Sequence, residues 1–183
     1  FVLRDAIGRE WQCGTIQLDF NLPTRLNATY IDEKGEKQFP VMIHRALVGS
    51  LERFVGILIE HFAGNFPLWI APRHLVLSGI TEKNTPHCEK LLKRFKDAGL
   101  RVEVDDRNEK INYKIREHMN AKVTFVGVIG DKEEENDTIT VRRLGDGKHT
   151  KTYKVDEFLD LMLSEIENKT LPPSFKTVQD EAA

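Results

Sequence analysis

Arg53 sits one turn into an apolar stretch, directly after Gly49-Ser50, and that combination suits a nucleotide. A glycine turn lets backbone approach a ligand closely because no Cβ intervenes. A guanidinium can lie flat on a base or fork onto phosphate oxygens. Upstream, Val41-Met42-Ile43 reads as a buried strand ending in His44-Arg45. Taken alone, His44 is a structural residue more often than a metal ligand, and Glu52-Arg53 can be a solvated pair. Leu51, Phe54 and Val55, however, predict a helix buried around Arg53, where an arginine without a partner is costly. On the Trp11–Phe20 run, alternation puts Cys13, Thr15 and Gln17 on one face and Gln12, Gly14 and Ile16 on the other. A bulge at Gly14 would bring Gln12 and Thr15 to the same side.

A second group lies further along. Asp106-Arg107-Asn108-Glu109-Lys110-Ile111 falls where a strand meets a helix, a place rich in free backbone N–H groups. Asn108 there can pair with the edge of an unstacked base, or serve as an ordinary N-cap with Lys110, Lys114 and Arg116 as solvated charge. Gly130-Asp131-Lys132-Glu133 precedes a strand that ends in the adjacent Arg142 and Arg143. Arginine matches the two acceptors of guanine. Alternation sends these two arginines to opposite faces, and they compete for the role. Lys148 and Lys151 touch backbone phosphate or nothing.

The elements that carry these residues fall into two parts with a boundary near Pro72. In residues 1–71, strands over Glu10–Phe20, Asn27–Asp32 and Val41–Ala46 precede a helix over Leu51–Phe62, with Asp32–Lys37 as a hairpin turn. Leu51, Phe54, Val55, Leu58, Ile59 and Phe62 form a wide stripe that predicts burial against a sheet. In residues 72–183, strands over 75–80, 100–104, 123–129 and 138–143 alternate with helices over 85–98, 110–120 and 155–167. Gly99 closes the first of those helices. Such alternation predicts an α/β domain, a mixed or parallel sheet with helices on both faces. The tail after Leu171 is expected to be mobile.

At 183 residues and 40% hydrophobic, the chain can bury real cores. Its net charge of −2 offers no global field for RNA, so any nucleic-acid surface must be a local patch. Cys13 and Cys88 form no CxxC pair, which fits a reducing compartment. No apolar run reaches membrane-spanning length. The start at FVLRDAIGRE, with no methionine or leader, reads as a piece of something longer.

On PVMIHRALVGSLER, QCGTIQLDF, RNEK, KIRE and GDKE, the chain resembles the class II aminoacyl-tRNA synthetases, and among them the threonyl-tRNA synthetases, through about Glu167. The resemblance implies the C-terminal part of an antiparallel catalytic core with motif 3, then a class IIa anticodon-binding domain. It implies that Arg53 is the motif 3 arginine on ATP, that Gly49, Ser50, Gln12 and Thr15 line the ATP and adenylate site, and that Gln17 lies near the amino acid. His44 would supply one ligand to a zinc ion that holds threonine, with a cysteine and a histidine expected upstream of Phe1. Mg²⁺ would accompany ATP. Asn108, Glu133 (in the turn that GDKE forms in the family) and Arg142 would read the anticodon of threonine tRNA. The full enzyme would be a homodimer of the cytoplasm or an organellar matrix. Motifs 1 and 2 are missing, so this chain alone is expected not to aminoacylate. Prolyl-, histidyl- and glycyl-tRNA synthetases, or a synthetase-like regulator without catalysis, are the competing readings.

Overall fold

A computed structural model describes residues 1–5 and 7–173, and the tail after Leu171 lies outside them from residue 174 onward. The chain divides into two compact units, Phe1–His61 and Phe62–Ala183.

The first unit is built from paired ribbons. Strands β1 (Val2–Arg4) and β2 (Glu10–Gln12) form one antiparallel pair. β3 (Thr15–Asp19) precedes a short helix, α1 (Leu22–Arg25), and β4 (Tyr30–Ile31) pairs with β5 (Lys37–Gln38) around the polar turn. β6 (Met42–Ala46) returns antiparallel to β3, and α2 spans Leu51–Phe62. The long strand expected from Glu10 to Phe20 is therefore two strands broken at Cys13-Gly14. The burial expected around Arg53 is not found. Arg53 is exposed, and Leu51, Val55 and Ile59 on the apolar stripe are 63%, 43% and 49% exposed. A two-stranded ribbon offers too little apolar surface to answer such a stripe.

The second unit closes on itself. β7 (Leu75–Gly79) leads through a short 3₁₀ turn (Glu82–Asn84) into α3 (Thr85–Asp97). β8 (Val102–Asp105), α4 (Ile111–Asn120), β9 (Phe125–Ile129) and α5 (Asp131–Asn136) follow. β10 (Thr138–Arg143), β11 (Thr150–Lys154) and α6 (Val155–Glu167) complete it. The five strands form one mixed sheet in the order β11-β10-β9-β7-β8, with β7 parallel to both β8 and β9. One face carries Leu75, Leu77, Ile129, Ile139 and Val141 against Cys88, Leu91 and Phe95 of α3 and Phe158 and Met162 of α6. Phe158 sits edge-on to Phe95 and Phe125, with ring centroids 6.2 and 5.2 Å away. Gly127 is needed beneath this layer, since a Cβ there would stand 2.6 Å from Ile139 Cδ1. On the other face Val76, Ser78 and Val126 are buried, and α4 packs on β7 and β9. Burial drives the Cys88 thiol up to about 11, so it behaves as a small core apolar group.

Candidate functional site

In the first unit the turn between β6 and α2 is set by Gly49, whose φ of +65° few other residues adopt. A Cβ there would lie 3.4 Å from the Cys13 carbonyl oxygen and 3.5 Å from that of Gln12. The glycine turn thus rests on the backbone of Gln12-Cys13. Ser50 caps α2: its hydroxyl accepts the Arg53 N–H at 3.3 Å and donates to Glu52 at 2.8 Å. This cap sets the first turn that projects Arg53.

The Arg53 guanidinium lies 5.8 Å from the centroid of the Trp11 ring, which also takes Arg9 at 5.3 Å. Arg9 is fully engaged with Asp5 and Glu60, whereas Arg53 makes no ion pair among the described residues. Trp11 is held by its own Nε1–H, which donates to Asp5 at 3.0 Å. Burial pushes the Asp5 carboxyl up, but the hydrogen bonds from Trp11 and Arg9 outweigh it and bring it down to about 2. The platform under Arg53 is thereby fixed while its charge stays available. Sequence reading named Arg53 but missed Trp11 and Asp5.

Thr15, Gln17 and Asp19 share one face of β3, and Gln17 lies opposite His44 in the register. His44 Nε2 meets Asp19 Oδ2 at 3.0 Å. The N–H groups of Leu22 and Asn21, and then His44, hold the Asp19 carboxyl below its usual range. No group of His, Cys, Asp or Glu large enough to hold a metal ion occurs among the described residues. His44 and Asp19 fall short of the protein ligands a catalytic zinc takes, so the residues present do not make a zinc site and no step is derived through one.

In the second unit Asn108 lies in the loop between β8 and α4, exposed and with its amide unbonded among the described residues. It is not the helix cap, because Lys110 holds that position and α4 has no side-chain cap. The loop borders a cleft at the C-terminal ends of β7 and β8, shared with Ile80, Thr81 and Glu82. Asp105 anchors it from below. Its carboxylate accepts both Arg107 Nε and Nη2, at 2.9 and 2.7 Å, and meets His118 Nε2 at 2.7 Å. Lys114 is buried, not solvated: its Nζ donates to the Asp105 carbonyl at 2.9 Å and lies 3.8 Å from the carboxylate. The Arg107 hydrogen bonds, with His118 and the Lys114 charge, overcome burial and hold the Asp105 carboxyl far below the usual carboxylate range.

Glu133, expected in a turn, lies instead in the first turn of α5. It accepts the Gly130 N–H at 3.0 Å and the Thr140 hydroxyl at 2.9 Å. Alternation along β10 puts Thr140 and Arg142 on one face and Arg143 on the other. Arg142 Nε and Nη2 donate to the Gly147 carbonyl at 3.0 and 2.7 Å. Arg143 forks onto Glu165 at 2.6 and 2.9 Å and lies over Phe125, so its donors are spent inside the fold. Lys151 rests over Tyr153. Asn108 and Glu133 follow the C-terminal ends of β8 and β9, whereas Arg142 lies lower on the sheet, level with Val126.

A family model described as "Anticodon binding domain" matches residues 74–165. Another, "tRNA synthetase class II core domain (G, H, P, S and T)", matches residues 1–62. A threonine–tRNA ligase of Rhodopseudomonas palustris is 52% identical over all 183 residues, which cover 27% of that relative. One of Parvibaculum lavamentivorans is 54% identical over 90% of the chain and 25% of its own length. The chain thus spans about a quarter of the length of the curated relatives it matches. Among solved structures, the RNA binding domain of threonyl-tRNA synthetase from Cryptosporidium parvum Iowa II superposes with a TM-score of 0.82 at 33% identity. That match covers 96% of this chain and 43% of the other. A prolyl-tRNA synthetase from Cryptosporidium parvum, 22% identical with a TM-score of 0.65 over 87% of this chain and 34% of its own, shares the fold.

Proposed function

Since the chain belongs to the anticodon-binding-domain family and carries a class II synthetase core segment ahead of that domain, we propose that it is the part of a threonine–tRNA ligase that holds motif 3 of the catalytic core and reads the anticodon. The observation that carries the reading is the division of labour among its polar groups. Arg53 and Asn108 stand at exposed positions with no ion pair or side-chain hydrogen bond from their polar groups among the described residues, while their neighbours Arg9 and Arg107 are each tied to two carboxylates.

In the core segment, Arg53 contacts ATP through the flat guanidinium, with Gly49, Ser50, Gln12 and Thr15 lining the same site and Gln17 beside the amino acid. Threonine's carboxylate attacks the α-phosphorus of ATP to give threonyl-adenylate and pyrophosphate, and a terminal hydroxyl of the tRNA then takes the acyl group as the acyl–phosphate bond breaks and AMP leaves. The chemistry rests on positioning and on neutralising phosphate charge, with Mg²⁺ accompanying the nucleotide. His44 contributes at most one ligand to a zinc ion whose others come from elsewhere in the full enzyme. Homodimerisation, the threonine substrate and residence in the cytoplasm or an organellar matrix belong to that full enzyme. The chain alone does not aminoacylate, and measurable threonylation by it would overturn that statement.

In the second unit Asn108, Glu133 and Arg142 read bases of the threonine anticodon, whose middle guanine suits an arginine fork. Competition between anticodon stem-loops tests this. The chain should prefer the threonine stem-loop over one altered at the middle base, and Asn108→Ala or Arg142→Ala should erase the preference. Equal binding to every stem-loop would end the assignment.

A further inference from the structure

The face of β10 and β11 that carries Arg142 also carries a chain of hydroxyls whose direction is fixed by proton count. Thr140 lies opposite Thr152 in the register, and their hydroxyl oxygens are 2.8 Å apart. Thr140 Oγ1 also lies 2.9 Å from Glu133 Oε1. A carboxylate only accepts, so the single proton of Thr140 goes to Glu133. Between the two threonines, Thr152 must then be the donor. Both hydroxyl protons are consumed inside the chain, and each carboxylate oxygen of Glu133 has a protein donor, Gly130 N–H on Oε2 and Thr140 on Oε1. What remains toward the open side of Thr140, Thr152 and Glu133 is lone pairs only. Thr152 is exposed and Thr140 and Glu133 are half-buried, so the lone pairs are within reach of a ligand.

Resting on the base-reading role proposed for Glu133, we infer that Thr140 is a positioning residue for anticodon discrimination, with Thr152 behind it. The hydroxyl chain holds the Glu133 carboxylate in one orientation and turns the hydroxyl protons of Thr140 and Thr152 away from a ligand. Such a patch takes a base edge that presents N–H and turns away one that presents a carbonyl or a bare ring nitrogen, because two acceptors face to face leave both unpaired. Two residues along β10, Arg142 is held through Nε and Nη2 by the Gly147 carbonyl and keeps its remaining N–H groups as the only cationic donors on β10's same face. On β11 the same face carries Lys154, opposite Thr138, whose Nζ donates to the Asn136 carbonyl at 2.7 Å, so a cation stands on either side of the acceptor positions.

The test uses the full chain and anticodon stem-loop RNAs, the threonine stem-loop against versions with one anticodon base replaced. The readout is the ratio of affinities. Thr140→Val keeps the shape and deletes the hydroxyl; Thr140→Ser keeps the hydroxyl and deletes the methyl. The expected result is a loss of about tenfold in the ratio for Thr140→Val, the scale of a hydrogen bond to a charged group, with Thr140→Ser near the parent. A merely structural threonine would lower the unfolding temperature and leave the ratio alone. If Thr140→Val does not fold, Thr140→Ala removes the same hydroxyl with less bulk and must give the same loss. An unchanged ratio in the hydroxyl-free variant, or an equal loss in Thr140→Ser, overturns the inference. Glu133→Gln, measured beside them, separates the two levels. If it leaves the ratio intact, the base-reading role of Glu133 falls. If it abolishes the ratio while Thr140→Val keeps it, only the positioning role falls.

Discussion

The two units use the same materials, strands with an apolar helix, and reach opposite ends. In the second, Leu75, Leu77, Phe95, Ile129, Ile139, Phe158 and Met162 are each under 2% exposed between a five-stranded sheet and two helices. In the first, Ile16, Leu18, Ile43, Leu51, Val55 and Ile59 are all more than 40% exposed on ribbons of two strands and one helix. A sheet needs a second layer to bury a face, and only the second unit supplies one within itself. The polar groups follow suit. Asp105, Lys114 and Arg143 of the second unit are consumed in holding elements together, whereas Arg53 and Gln17 of the first are left with donors to spare.

The largest expected consequence is in local stability. Amide hydrogen exchange on the whole chain should protect β7 and β9 at the level of global unfolding, and β3 and β6 at least about a thousandfold less, because opening free energy follows buried apolar contact. Equal protection of the two sets would mean that the exposed faces of the first unit are covered in solution, and the contrast would collapse.

Next in size is the core itself. Phe158→Ala removes a ring in contact with Phe95, Phe125 and Tyr153 and should cost about 3–5 kcal/mol by urea unfolding of the second unit. Leu51→Ala, at an exposed helix position, should stay within about 0.5 kcal/mol. Asp105→Asn should cost about 3 kcal/mol, since it strips the buried Lys114 of its counter-charge. That substitution also carries a pH signature. The folded carboxyl of Asp105 titrates below the unfolded one, so its contribution is complete above the unfolded value of about 4 and is lost as pH falls through and below it. The parent should therefore lose stability on acidification faster than Asp105→Asn. Taking the difference between the two cancels the other depressed carboxyls, Asp5, Asp19, Asp32 and Glu52. A gap that stays constant from pH 6 to pH 3 would show that Asp105 is not the anchor described above.

Legibility in the sequence divided along the same line. The β10 and α6 spans, Thr138–Arg143 and Val155–Glu167, match their periodicity to the residue, because the sheet they join answers each apolar position with a partner. β11 and α5 were not foreseen. Thr150–Lys154 has a single half-buried position, Tyr153, so no apolar alternation marks it, and Asp131–Asn136 has no apolar residue at all. Glu133, placed three residues after Gly130 to accept its N–H, was the one available signal. The stripe on Leu51–Phe62 was legible as a helix but misleading about burial, because periodicity reports which face is apolar and not what lies against it. Lys114 went unread for the converse reason: nothing local distinguishes a lysine that reaches a carbonyl on the preceding strand from one that reaches water. Arg142 and Arg143 could be assigned to opposite faces by alternation, but only Glu165, far away in sequence, reveals which one is spent.

The smallest effect sharpens the contrast most, because it sets the same side chain in both units. Arg143 is 15% exposed, forks onto an equally buried Glu165 and lies 5.0 Å over Phe125. Removing it in Arg143→Ala leaves a half-desolvated carboxylate behind and should cost about 2–3 kcal/mol. Arg53→Ala forfeits one exposed contact with Trp11, worth about 0.5–1 kcal/mol at most, and breaks no ion pair. Its loss should barely move the unfolding midpoint. An arginine that the fold does not need for stability, on a platform that Asp5 holds in place, has its charge left for something other than folding. If Arg53→Ala instead destabilises the chain as much as Arg143→Ala, that charge is already spent inside the unit, and the nucleotide-binding role proposed for it loses its physical basis.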